Sequence, residues 1–87
     1  MPYVIIGRFA DFVIKLAKEK KYIQNVFSFL DEMAISADEK IVELLMFGFL
    51  ECLNSKENYY KDLVKLFSIK TNQRLKETID HNSIIAN

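Results

Sequence analysis

Glu43 and Glu51 are the two acids whose spacing could place them in one chemical task, and Phe47 lies midway between them, one helical turn from each. On a helix the two carboxylates share a face but stand roughly 12 Å apart along the axis. That is too far for shared acid–base work, and it suits the capture of two separate basic groups with an apolar ring between them. Asp31 and Glu32 are adjacent, so they point about 100° apart around a helix and form no carboxylate dyad. The single histidine, His81, lies among polar residues near the C-terminus, where a solvated side chain is the simpler reading than a general base. The single cysteine, Cys52, permits no internal disulfide and falls on an apolar stripe, so it reads as a small buried hydrophobe. The sequence carries no Gly-rich phosphate loop, no G-x-S-x-G, no H-E-x-x-H and no paired C-x-x-C. It predicts a protein that is not an enzyme and that uses no cofactor and no metal.

The element that must position Glu43, Phe47 and Glu51 is the stretch SADEKIVELLMFGFLECLN, residues 36–54. Ser36 and Glu39 have the spacing of a capping box, which predicts a helix beginning at about Ala37. Ile41, Leu44, Leu45, Gly48, Cys52 and Leu53 then form a core-facing stripe, which Val42, Met46, Phe49 and Leu50 widen well beyond that of a surface helix. Such a helix must be covered on more than one side. The strip left polar holds Lys40, Glu43, Glu51 and Asn54, with Phe47 inside it. Phe47 is either an apolar contact among acids or a side chain buried by the first or fifth helix. Glycine inside a helix costs roughly 1 kcal/mol relative to alanine, and close approach of a neighbouring helix is the expected compensation at Gly48.

Helical periods cover nearly all of the remaining chain. Pro2 opens a first helix with the stripe Ile5, Ile6, Phe9, Phe12, Val13, Leu16 and Ala17, ending in the lysines of 18–21. Ile23, Val26, Phe27, Leu30, Met33 and Ala34 give a second. No breaker marks the join at 20–22, so a tight turn or kink there rests on the shift of stripe alone. Ser55 is the candidate cap of a fourth helix burying Tyr59, Leu63, Leu66 and Phe67, and Ser68 or Thr71 that of a fifth carrying Leu75 and Ile79. Of the neighbours Tyr59 and Tyr60, one belongs to the core and the other to the surface. The predicted fold is all-α, with four to five antiparallel helices in one domain over residues 1–87. They form either a short α-solenoid-like stack or a compact bundle, with a frayed tail over 81–87.

Eighty-seven residues, half of them apolar, suffice for a single core and argue against disorder. The longest apolar run, Leu44 to Leu50, is too short to span a bilayer, and the N-terminus lacks a secretory pattern, so the expected location is the cytoplasm, with no membrane partner. Formal charge sums to zero, but residues 31–57 are strongly acidic while the segments on either side are basic. This pattern favours a basic partner over nucleic acid. Lys15, Lys18, Lys20 and Lys21 spread around a helix end and form no basic stripe. Asp31, Glu32, Asp38, Glu39, Glu43 and Glu51 would make one electronegative surface if the end of the second helix met the face of the third, with Phe47 as anchor.

Gly48-Phe49-Leu50-Glu51 followed by Cys-Leu-Asn, with Tyr3-Val-Ile-Ile-Gly-Arg-Phe-Ala and Phe29-Leu-Asp-Glu upstream, resembles a group of small all-helical bacterial proteins with a G-F-L-E-x-L-x-N signature. Several members of that group look like immunity proteins encoded beside polymorphic toxins of contact-dependent growth inhibition. The similarity covers roughly residues 3–75. Where the group carries a threonine-capped segment with a tryptophan, this chain has Thr71 and, in the comparable place, Leu75. The resemblance implies that the protein binds a toxic domain and covers its active site. Basic clefts of nuclease toxins would fit the acidic centre. The competing expectation is a helical adaptor or homodimer, with the apolar excess of the third helix buried against another copy.

Overall fold

The computed structural model describes residues 2–86, with side chains for residues 3–82, and every regular element in that span is helical. Helix α1 runs Pro2–Lys18 and α2 Gln24–Ala34. The next element, α3, changes its winding along its length: α-helical at Glu39–Glu43, π at Leu44–Phe49 and 3-10 at Leu50–Cys52. Helix α4 runs Tyr59–Leu66 and α5 Ile69–Ala86, so α5 continues through most of the segment expected to be a frayed tail. Met1 and Asn87, the latter the end of that tail, lie outside the described residues.

The first two helices are separate, and the backbone shows how. Lys20 has φ of 58°, the left-handed conformation, while its N–H donates to Ala17 O and that of Lys21 to Leu16 O. This is a Schellman motif with lysine where glycine is the usual choice. The lysines at this end complement the helix dipole.

Helix α3 occupies the centre, packed against α1, α2 and α5. Leu45, Gly48, Phe49 and Leu50 are buried in it, with Leu45 and Phe49 wholly inaccessible. The wide π turn, closed by hydrogen bonds from i+5 to i, sets residues five apart on one face, so Leu50 joins Leu45 in the core. The stripe read at α-helical spacing is corrected at two positions: Cys52, after the π segment, and Ile41, in the α-helical segment before it, are exposed. Gly48 is the close-approach point. A Cβ there would collide with Ile6 Cγ2 of α1 and touch Tyr3 Cδ1 at 3.4 Å.

Around this centre α1 buries Ile6, Ala10, Val13 and Ala17, α2 buries Val26, Leu30, Met33 and Ala34, and α4 buries Tyr59 and Leu63. Ile5, Phe12, Leu66 and Ile79, assigned to buried stripes by periodicity, are at the surface, because each lies at the edge of an apolar face wider than its neighbour covers. Tyr59 is the core member of its pair; its hydroxyl accepts from the Asn54 N–H at 2.9 Å, and Lys18 Nζ stands 5.9 Å from its ring centroid. Principal extents of 32 × 28 × 27 Å give a compact bundle in place of an elongated stack. No helix among the described residues is long and apolar enough to cross a membrane.

Helix α5 joins α2 through polar groups. Ser68, its N-cap, accepts from the Thr71 N–H at 3.1 Å and donates to Asp31 Oδ1 at 2.6 Å. Arg74 Nε donates to Ala34 O at 3.0 Å, satisfying a terminal carbonyl of α2, and its Nη1 pairs with Glu77 at 2.9 Å. Thr71 and Thr78 are buried beneath; the Thr71 hydroxyl lies 3.1 Å from Ser68 Oγ, and that of Thr78 donates to Arg74 O at 2.9 Å.

Candidate functional site

The capping of α3 differs from the predicted box. Ser36 Oγ accepts from the Asp38 N–H at 3.1 Å, and Asp38 is itself the N-cap, accepting from the Lys40 N–H at 2.9 Å. The helix therefore begins at Glu39. Glu39 is thereby freed from a capping role and lies one α-turn before Glu43. The two glutamates share a shallow depression with Ser36, Val42 and Arg74. Ser36 also lines the neighbouring depression that holds Glu32, Phe29, Met33 and Ile41. The end of α2 and the start of α3 thus meet, bringing Glu32, Glu39 and Glu43 around Ser36.

The seven residues predicted for partner binding divide by what they already touch. Asp31 is half-buried and bonded to Ser68, and Asp38 is the N-cap, so both have structural partners. Glu32, Glu39, Glu43 and Glu51 are exposed, and none makes an ion pair among the described residues. Phe47 is half-buried, its ring centroid 5.0 Å from that of His81 on α5 at an interplanar angle of 55°. The fifth helix therefore covers part of Phe47, and His81, read as solvated, is exposed yet lies against that ring.

Glu51 lies at the other end of α3, beside Cys52. The Cys52 thiol donates to Gly48 O at 3.3 Å and titrates above the ordinary cysteine value. Desolvation is the main cause, with the charges of Asp11 and Glu51 adding to it. A thiol held protonated in this way is a poor nucleophile at neutral pH. Its position corrects the expectation of a buried side chain: the π and 3-10 turns carry residue 52 out to the surface. Ser55 does not cap α4; the connection is organised by Asn54, whose Oδ1 accepts from the Lys56 N–H at 2.9 Å.

Two residues join the site that the sequence reading leaves out. Asp11 of α1 lies near enough to Cys52 for its charge, like that of Glu51, to act on the thiol, and Arg74 of α5 lines the depression of Glu39 and Glu43. Neither has a local signal, since each depends on a tertiary contact between elements distant in sequence. Arg74 is the one base lining the Glu39–Glu43 depression, and it is already engaged by Glu77 and Ala34 O. Among the described residues no three His, Cys, Asp or Glu side chains are grouped to hold a metal ion.

Exposed carboxylates thus stand at both ends of the central helix, Glu39 and Glu43 beside Arg74 of α5 and Glu51 on the side of Cys52 and Asp11. No curated protein and no solved structure matches the chain. A family model does match, over residues 1–83, which takes in α1 to α4 and most of α5, and the chain accordingly belongs to the family described as a domain of unknown function, DUF7674.

Proposed function

We propose that the protein is an immunity protein that binds a cognate bacterial toxin, a basic nuclease-type domain, and covers its active site. It acts in the cytoplasm, by stoichiometric binding and without catalysis. The observation that carries this reading is the set of exposed carboxylates of Glu39, Glu43 and Glu51 along α3, unpaired among the described residues, with the half-covered ring of Phe47 between the last two in sequence. Charges held on a buried helix lose little conformational freedom on binding, and an acidic row speeds encounter with a basic cleft. Glu32 adds charge from the adjoining depression, and Asp31 and Asp38 add theirs from the positions they hold in the fold. The resemblance of Gly48-Phe49-Leu50-Glu51 to helical immunity proteins supports the same role, although Asn54 stands one position ahead of the asparagine of that signature, with Ser55 in its place.

The test is growth rescue. The open reading frame adjacent to this gene is expressed alone and together with this protein, and the pair is then purified. Arrested growth restored by co-expression, with a one-to-one complex recovered, is the expected result. A neighbour that is harmless alone, or toxic but not rescued, would remove the immunity role.

A further inference from the structure

One apolar face of the bundle is only partly covered among the described residues. On α1 the side chains of Ile5, Phe9 and Phe12, spaced i, i+4 and i+7, form a second stripe beside the core stripe of Ile6, Ala10, Val13 and Ala17. Helix α2 covers this second stripe only in part: Phe9 meets Phe29 edge-on with ring centroids 5.6 Å apart, while Ile5 stays 70% and Phe12 49% exposed. Phe29 is itself 46% exposed and shares its depression with Ile41 and Glu32. Together these side chains leave open on the order of 400 Å² of apolar surface, the size at which a patch on a soluble protein signals a binding site.

The charges on the two rims indicate what covers it. Arg8 is exposed on α1, within one turn of both Ile5 and Phe12, and Glu32 is exposed on α2, one turn from Phe29; neither is in an ion pair among the described residues. A partner of uniform charge would suit one rim and repel the other. A second copy related by a two-fold axis places Arg8 of each chain against Glu32 of the other, so both rims are satisfied by one operation. We propose that the α1–α2 face is the interface of a homodimer, closed by Phe12 and Phe29 and flanked by two Arg8–Glu32 pairs. Of the acids assigned to the toxin it uses Glu32 alone, so variants at Phe12, Ile5 and Arg8, which lie outside that set, separate failure of the dimer from failure of toxin binding.

Sedimentation equilibrium of the full chain, from low micromolar to near-millimolar concentration, tests this. The expected result is a monomer–dimer equilibrium. Phe12→Glu makes the chain monomeric with an unchanged helical spectrum, and Ile5→Lys, at the most exposed position of the stripe, does the same should Phe12→Glu fold poorly. Arg8→Glu and Glu32→Arg each weaken the dimer about tenfold, and the two together restore it. A monomer at every concentration overturns the proposal and leaves the face to a different protein. A dimer indifferent to Phe12→Glu and Ile5→Lys, or a charge swap that fails to restore association, overturns it as well.

Discussion

At the α2–α5 joint Asp31, Ser68, Arg74 and Glu77 each find a partner inside the molecule, whereas on α3 the carboxylates of Glu39, Glu43 and Glu51 are exposed and make no ion pair among the described residues. The two regions also differ beneath the surface. The buried side chains that α5 contributes include two threonines with their hydroxyls bonded, whereas those of α3 itself, Leu45, Phe49 and Leu50, are all apolar. Polar groups at the joint orient α5, and apolar packing holds α3, so the fold does not depend on Glu43 and Glu51, while Glu39 complements the helix dipole from the first turn.

The largest effect that separates the two regions is expected on the dry side. Gly48→Ala drives a methyl group into Ile6, a buried β-branched side chain with little room to move. Overpacking of this kind costs about 1–3 kcal/mol and outweighs the gain of roughly 1 kcal/mol that alanine brings to a helix. Urea unfolding should show a net loss, and adding Ile6→Ala should remove most of the coupling between the two sites. Strict additivity of the two substitutions would mean that α1 and α3 are not in contact at this point.

The joint should respond less. Asp31→Ala removes the charged acceptor of the Ser68 hydroxyl and leaves it only Thr71 Oγ1 at 3.1 Å, a loss of about 1 kcal/mol, and hydrogen exchange should quicken in the first turns of α5 more than in α3. Uniform quickening across both helices would show that the joint is not a local device. Smaller still, and of opposite sign, is Lys20→Gly: it relieves a left-handed non-glycine residue and should raise stability by about 1 kcal/mol in thermal melts. A decrease would mean that the lysine side chain contributes more at that helix end than its backbone costs.

These contrasts also explain what could be read before the fold was seen. The all-α class, the crowded third helix and the close approach at Gly48 follow from local periods and a misplaced glycine, both visible in a single segment. The π winding at Leu44–Phe49 is not visible, because it is chosen by packing: it brings Leu50 in with Leu45 and sends Cys52 out. The break between α1 and α2 was hidden because lysine fills the position where glycine would have announced it. The α2–α5 joint was invisible for a different reason. Asp31 and Ser68 are 37 residues apart and Ala34 and Arg74 are 40, and no pattern within a helix encodes such a pairing. Of the candidate site, the acids and Phe47 were legible by type and spacing, while the division into engaged Asp31 and Asp38 and free Glu39, Glu43 and Glu51 required the tertiary structure.

That division is tested most directly by the double variant Glu43→Lys/Glu51→Lys, assayed for thermal unfolding and for growth rescue against the toxin in the same strain. Exposed, unpaired carboxylates should change stability by no more than about 0.5 kcal/mol when reversed, so the account predicts an unshifted melt together with lost rescue. A variant that melts as the parent does and still rescues growth fully would contradict it.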